Sequence, residues 1–100
     1  MKLYIDTTNS EKIKIKVGDV TIKKESREKT SQTLLQTIEE ALKKRKIKLK
    51  DLSEIEIEEG PGSFTGLRVG AAVANTLGFT LNIPVNGKMI PRDGPVEPKY

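Results

Sequence analysis

The segment EIEIEEGPGSFTGLRVG at positions 54–70 decides the fold. Isoleucine alternates with glutamate at its start, which is typical of a strand with one buried face and one face in water. The GPG triplet at 60–62 ends this strand, because glycine permits unusual backbone angles and proline fixes φ. Ser63 can then cap a helix that we expect to run to about Leu81. The sequence therefore predicts a strand, a tight loop and a helix in succession.

Three shorter alternating stretches precede this segment, at residues 2–6, 12–17 and 20–23. Each places β-branched or leucine side chains at every second position, which predicts three half-buried strands. Thr8-Asn9-Ser10 is expected to turn the chain after the first strand. Gly18-Asp19 is expected to close a tight hairpin between the second and third.

An amphipathic helix is predicted next, capped by Thr30 or Ser31 and ending near Lys46. Its apolar face comprises Leu34, Leu35, Ile38, Ala41 and Leu42. After the second helix, residues 82–85 predict a short final strand. The order is therefore βββαβαβ, an α/β protein with a mixed sheet.

In this sheet the first strand is expected at the centre, antiparallel to the second strand and parallel to the fourth. Right-handed crossovers then place both helices on one face. The other face presents lysines from one strand and glutamates from another: Lys12, Lys14, Lys16, Glu54, Glu56 and Glu58. Such a face is expected to remain in water.

Composition narrows the possible functions. The chain has 100 residues, a formal net charge of +4, and neither cysteine nor histidine. Disulfide scaffolds, thiolate or imidazole metal sites and serine–histidine nucleophiles are thereby excluded. No apolar stretch suits a signal peptide or a membrane span, so we expect a cytoplasmic protein. Residues 1–87 are expected to form one lobe, and residues 88–100 a proline-rich extended tail.

The densest basic stretch runs from Lys43 to Lys50. It has two interpretations: a patch for RNA or an acidic partner, or a helix C-terminus whose cations complement the helix dipole. The helix C-terminus is the favoured interpretation. Five acidic residues follow between Asp51 and Glu59, and they cancel much of the positive electrostatic potential at a distance from the protein.

Residues 60–70 resemble the GPGSFTGLRIG signature of the TsaB (YeaZ) family, which partners the enzyme that makes threonylcarbamoyladenosine on tRNA. Residues 1–8 resemble the opening strand and loop of that family, and residues 50–55 its approach to the fourth strand. The resemblance extends in order from residue 1 to about residue 87.

This resemblance implies the actin/Hsp70/sugar-kinase fold, in which two ribonuclease-H-like lobes hold a nucleotide between them. The chain covers the first lobe, so we predict a single ribonuclease-H-like lobe, and its polar outer sheet face suggests a natural single-lobe form. The family's histidine before the first helix corresponds to Thr30 or Ser31. Because the catalytic relative's paired histidines have no counterpart, we expect no metal, no cofactor and no catalysis.

Two loops form a candidate nucleotide site. The residues concerned are Asp6, Thr7, Thr8, Gly60, Gly62 and Ser63. A glycine-rich loop before a helix can bind phosphate through free backbone N–H groups. The alternative, a turn that only connects two elements, is favoured because the second lobe that would close the site is missing.

A metal-dependent nuclease is a second functional hypothesis. Ribonuclease-H-like nucleases carry metal-binding carboxylates on the same elements that here hold Asp6, Glu39 or Glu40, and Glu58 or Glu59. The alternative is that these acids belong to solvated faces, because Glu39 and Glu40 already have lysines four residues later.

The apolar composition of the second helix predicts that the protein self-associates. It carries one charged residue, Arg68, and is apolar on most of its sides. The resemblance implies association through the first-lobe helices, so we expect a homodimer or a contact with the catalytic transferase (TsaD-like), and leave direct tRNA contact open. The assigned interface residues are Gly66, Leu67, Arg68, Gly70, Ala71, Ala74, Leu77 and Gly78 with Leu34 and Ile38. The predicted role is a non-catalytic scaffold.

Overall fold

The computed structural model describes residues 1–9, 11–25, 31–89 and 93–98, and of Ser31 the backbone alone. Its elements are β1 (Lys2–Asp6), β2 (Lys12–Val17), β3 (Val20–Glu25), α1 (Ser31–Arg45), a 3-10 turn (Leu49–Asp51), β4 (Glu54–Ile57) and α2 (Phe64–Leu81). The expected caps at Thr30 and Ser31 and the turn at Ser10 fall wholly or partly outside the described residues. Within the described residues, no helix is both long enough and apolar enough to cross a membrane.

The four strands form one sheet in the order β3-β2-β1-β4. Strand β1 lies at the centre, antiparallel to β2 and parallel to β4. Ile5 is aligned with Ile15 on one side and Ile57 on the other, so the apolar residues of neighbouring strands share a face. Gly18 adopts a φ of 59° in the β2–β3 loop, a conformation that glycine adopts without steric cost. The predicted fold class and strand order are confirmed.

The sheet separates a dry face from a wet one. Both helices lie on the apolar face, with α1 against β2 and β3 and α2 against β4 and β1. The largest fully buried core side chains are Leu3, Ile5, Ile13, Ile15, Leu34, Ile38, Ile55 and Leu67. The opposite face carries the alternating lysines and glutamates and has no helix over it in the described chain. Burial of apolar side chains by the helices is the main stabilising contribution.

The expected final strand is reduced to a single parallel bridge between Val85 and Ile55. Its neighbours explain why: Asn82 ends α2 in a left-handed conformation and Pro84 has no N–H to donate. Asn86 also has a positive φ, 50°, which turns the backbone away from β4. Its side chain continues the pairing, because Ile57 N–H donates to Asn86 Oδ1 (2.8 Å) and Asn86 Nδ2 donates to the Ile57 carbonyl (3.0 Å).

Small residues allow α2 to approach the sheet closely. A Cβ atom at Gly70 would collide with Oγ1 of Thr7 and would lie 3.1 Å from Cδ1 of Ile57. A Cβ atom at Gly78 would collide with Cγ2 of Val85. The small-residue positions of this helix therefore face the protein's own sheet.

The C-terminal segment is anchored to α2. Val96 is 3% exposed, and both of its backbone polar groups bind the side-chain amide of Asn75. Asn75 Nδ2 donates to the Val96 carbonyl (2.8 Å), and Val96 N–H donates to Asn75 Oδ1 (2.9 Å). Residues 90–92, 99 and 100 of the expected tail lie outside the described part, and the division at residue 87 stays a prediction.

Replacing Gly70 with alanine is expected to lower the free energy of unfolding by about 1–3 kcal/mol, because the new methyl group overpacks the contact with Thr7. Helix propensity alone would change stability in the opposite direction, by about 1 kcal/mol. Urea unfolding of Gly70→Ala, Thr7→Ala and the double variant measures the effect. The double variant should recover part of the loss, and fully additive losses would contradict the contact.

Candidate functional site

The two loops of the candidate nucleotide site meet at one edge of the sheet. Strands β1 and β4 are parallel, so their carboxyl ends lie side by side, and Glu58 N–H donates to the Ile5 carbonyl (3.0 Å). Beyond the strands, Ser63 N–H donates to the Thr8 carbonyl (2.7 Å). The structure therefore brings together the two segments that the sequence assigned to one site.

The carboxylate of Asp6 stabilises its own loop. Oδ1 of Asp6 accepts hydrogen bonds from the backbone N–H of Thr8 (3.0 Å) and from Oγ1 of Thr8 (2.7 Å). This is the turn that aspartate favours when its side chain bonds to the backbone two residues later. Thr7, between them, is buried against α2.

The glycine loop closes tightly on the first loop. A Cβ atom at Gly62 would lie 2.6 Å from the Thr8 carbonyl oxygen, so no atom fits between the two segments at this point. At the start of α2, Oγ of Ser63 accepts a hydrogen bond from Gly66 N–H (3.2 Å), as the sequence predicted for an N-cap. These contacts are those of a connecting turn, and nucleotide binding by the six residues stays a prediction.

The acids of the nuclease hypothesis have separate partners. Glu39 lies 3.4 Å from Lys43, and Glu40 pairs with Lys24 of β3 (2.6 Å). The ion pair with Lys24 lowers the pKa of Glu40. Glu58 accepts a hydrogen bond from the Tyr4 hydroxyl (2.8 Å). Among the described residues, no three acidic, histidine or cysteine side chains are grouped so that they could hold a metal ion.

Burial changes the assignment of the interface residues. Nine of the ten are buried within the chain: Leu34, Ile38, Gly66, Leu67, Gly70, Ala71, Ala74, Leu77 and Gly78. Ala74 is 0% exposed, because α2 turns its small residues toward the sheet. Arg68 alone of the ten is exposed, and its guanidinium lies over the ring of Phe64 at 5.3 Å. The dimer and its ten assigned residues stay a prediction, and two of the ten, Ile38 and Leu77, also line the surface cavities described next.

Two apolar cavities lie on the helical side of the molecule. A cavity of about 180 Å³ is lined by Leu35, Ala72, Val73, Thr76 and Leu77. A second cavity, of about 380 Å³, runs along α1 and is lined by Leu35, Ile38, Glu39, Leu42, Lys43, Ile47, Lys48 and Leu49. Leu35 borders both cavities and is 45% exposed. We call these two connected cavities the helix groove.

The outer sheet face forms a third concave surface, of about 480 Å³, lined by Lys2, Tyr4, Lys14, Lys16, Gly18, Glu56 and Glu58. The ammonium group of Lys2 pairs with Glu56 (2.9 Å), and this hydrogen bond raises the pKa of Lys2. Burial, followed by the hydrogen bond to Glu58, raises the pKa of the Tyr4 phenol well above its ordinary value. The wet face therefore has an ordered pattern of charges.

A mixed sheet in the order β3-β2-β1-β4, with two helices on one face, defines an α/β lobe of the ribonuclease-H-like type. The chain belongs to the family described as "TsaD: tRNA N6-adenosine threonylcarbamoyltransferase", whose sequence model matches residues 7–87. The resemblance to TsaB (YeaZ) proteins is confirmed by individual relatives.

Two curated relatives carry the name "tRNA threonylcarbamoyladenosine biosynthesis protein TsaB". The protein from Buchnera aphidicola subsp. Schizaphis graminum is 41% identical over 54 residues, which are 54% of this chain and 26% of that protein. The Bacillus subtilis protein is 50% identical over 36 residues, which are 36% of this chain and 16% of that protein. This chain therefore aligns with about a quarter or less of either relative.

Among solved structures, YeaZ from Pseudomonas aeruginosa superimposes with a TM-score of 0.71 at 25% sequence identity. The match covers 84% of this chain and 41% of that chain. The lobe described above is thus shared with a protein more than twice as long.

Replacing Asp6 with alanine is expected to lower the free energy of unfolding by about 1–3 kcal/mol, because two donors of Thr8 lose their acceptor. Asp6→Asn keeps an acceptor oxygen and should lose less. Thermal unfolding of both variants, with and without Mg-ATP, measures this. A rise in the wild-type midpoint with Mg-ATP that Asp6→Ala removes would support the nucleotide site over the connecting turn.

The Tyr4 phenol should titrate well above pH 10 in the folded protein, as followed by its ultraviolet absorbance. Because the pKa is higher in the folded state than in the unfolded state, this group's contribution to stability is complete below pH 10. It is lost as the pH rises above that value. Tyr4→Phe should lose less stability between pH 10 and 11 than the wild type does. Equal alkaline losses would contradict a raised pKa.

Proposed function

We propose that this chain is a non-catalytic binding partner in tRNA threonylcarbamoyladenosine biosynthesis and that it acts through its helix groove. The relatives that carry this pathway in their names support the pathway assignment. The observation that carries the binding role is the exposure of Leu35 between two apolar cavities on the helical face. The cytoplasmic location expected from the sequence belongs to the same proposal.

The non-catalytic character rests on chemistry and on packing. The sequence contains no histidine or cysteine that could act as a base, nucleophile or metal ligand. The glycine loop, where a nucleotide would have to bind, is in direct contact with the first loop at Thr8. The acids of the nuclease hypothesis are distributed over separate partners, so no specific observation favours that alternative.

A second copy of the chain is the occupant that we propose for the helix groove. Alanine and threonine on the exposed side of α2, at Ala72 and Thr76, permit a second helix to approach closely. Polar groups at the rim, including Glu39 and Lys43, can remain in water while the apolar floor is covered. Contact between identical surfaces through a two-fold axis closes the assembly at two chains. The catalytic transferase is the alternative occupant.

Ala72→Glu is expected to convert a dimer to a monomer without loss of folding, because the side chain is exposed in one chain and would carry a buried charge in the dimer. Ala74 is unsuitable for this test, since its substitution would disrupt the core. Light scattering at high micromolar concentration, with circular dichroism as the check on folding, measures the outcome.

Gln36→Glu is the matched control for this experiment. It adds the same charge at an exposed helical position, on the side of α1 where Glu40 contacts β3. The control should remain dimeric. The wild-type protein could instead be monomeric and bind the threonylcarbamoyl transferase in a manner that Ala72→Glu abolishes. That outcome would assign the groove to a heterodimer and not to a homodimer. A monomer that captures nothing would refute the binding role.

A further inference from the structure

The outer sheet face contains a group of four lysines on two neighbouring strands. Lys12, Lys14 and Lys16 alternate along β2, and Lys23 lies on β3 directly opposite Lys14. We call these four residues the lysine track. Side chains of alternate residues point to the same side of a strand at a spacing of about 6.8 Å. The track therefore presents a line of regularly spaced cations with one further cation beside it.

Most of the lysine track forms no ion pair with the other residues that the structure describes. Among the described residues, no carboxylate lies within ion-pair distance of Lys12, Lys14 or Lys23, whereas Lys2 and Lys24 each have one. The fourth member, Lys16, lies over the ring of Tyr4 at 5.9 Å. Like charges directly opposite each other destabilise a sheet. In the sheet, Lys14 faces Lys23 on one side and Asp6 on the other, and Lys12 faces Glu25. The contact of Lys14 with Lys23 is unfavourable by itself, and an anion bound between these two lysines would offset the repulsion.

The surface at the track is concave. A cavity of about 220 Å³ is lined by Asp6, Asn9, Lys12, Ile13, Lys14 and Lys23. Lys14 also lines the 480 Å³ cavity around Tyr4, so the two depressions adjoin along β2. An elongated anion lying along this strand would meet all four ammonium groups.

The acidic strand β4 limits the track on one side. It is separated from β2 by the central strand β1, about 10 Å away, which is comparable to the Debye length at physiological salt. Glu56 of this strand pairs with Lys2, and Glu58, directly after the strand, accepts a hydrogen bond from Tyr4. An extended polyanion is therefore attracted to the β2–β3 half of the face and kept from the β4 half.

We propose that the lysine track binds the phosphate backbone of RNA, and that the RNA is the tRNA substrate of the system proposed above. Evenly spaced lysines that form no ion pair in the described part of the chain suit a row of phosphates, because each contact releases a condensed cation from the nucleic acid. Lysine is a point charge that reads no base, so the contact positions RNA and does not select its sequence. This inference rests on the proposed function for the identity of the RNA.

The test is fluorescence anisotropy of a labelled, unmodified tRNA transcript titrated with the full chain over a range of salt concentrations. Lys14→Ala/Lys23→Ala should bind about tenfold more weakly at physiological salt, and its plot of log affinity against log salt should be shallower by about 1.5. The folding check is thermal unfolding. The midpoint of this variant should stay close to that of the wild type, because the repulsion between Lys14 and Lys23 and the attraction between Lys14 and Asp6 are lost together.

Lys44→Ala/Lys50→Ala is the matched control, since it removes the same charge from two exposed lysines outside the track. It should bind as the wild type does. Equal losses for the two double variants would show a diffuse attraction and overturn the proposal, as would absence of tRNA binding by the wild type. A changed oligomeric state in the track variant would assign the face to a second copy instead. Capture of the transferase through Ala72 is measured separately, so the proposed function and the RNA site can fail independently.

Discussion

The close contact between the start of α2 and the end of β1 is the constraint on which the rest of the structure depends. Gly70 of α2 and Gly62 in the loop before α2 allow close contacts with Thr7 and Thr8 at the end of β1. Held this near the sheet, α2 covers β4 and β1, and α1 covers β2 and β3. A methyl group at Gly70 would overpack the contact with Thr7 and strain the packing of helix on sheet.

This arrangement gives the two faces of the sheet different roles. The inner face is used to hold the helices, and the surface that remains apolar is the groove around Leu35. The outer face holds charges: on the β4 side Glu56 pairs with Lys2 and Glu58 binds Tyr4, whereas among the described residues Lys12, Lys14 and Lys23 form no ion pair. The two proposed binding surfaces lie on opposite sides of the sheet, so an apolar partner and a polyanion would not compete for the same residues.

Much of the fold could be predicted from the sequence. Where lysine or glutamate alternates with isoleucine, the pattern determines which face of each strand is buried. The start of α2 was equally predictable, since Ser63 follows a glycine–proline turn. The final strand was not, because its pairing depends on the left-handed turns at Asn82 and Asn86 and on a side-chain amide, which periodicity does not report.

The candidate site was predicted less well than the fold. The meeting of the two loops followed from parallel strands, but the closeness of Gly62 to Thr8 depends on three-dimensional packing. The burial of nine of the ten assigned interface residues could not be predicted, for a related reason. The second helix is apolar on several sides, and its sequence could not show which side the sheet would cover. Opposed lysines on β2 and β3 become visible only once the strand register is known.

The amide of Asn86 also bears on how the protein avoids uncontrolled assembly. Open sheet edges template the addition of foreign strands, which is a common route to aggregation. On β4, the outward backbone groups of Ile57 are occupied by that amide, and those of Ile55 by the backbone of Pro84 and Asn86. The opposite edge strand, β3, carries Lys23 and Lys24, whose charges disfavour the addition of another strand. The Asn86 side chain therefore occupies the β4 edge at Ile57, which disfavours the addition of a further strand at that position.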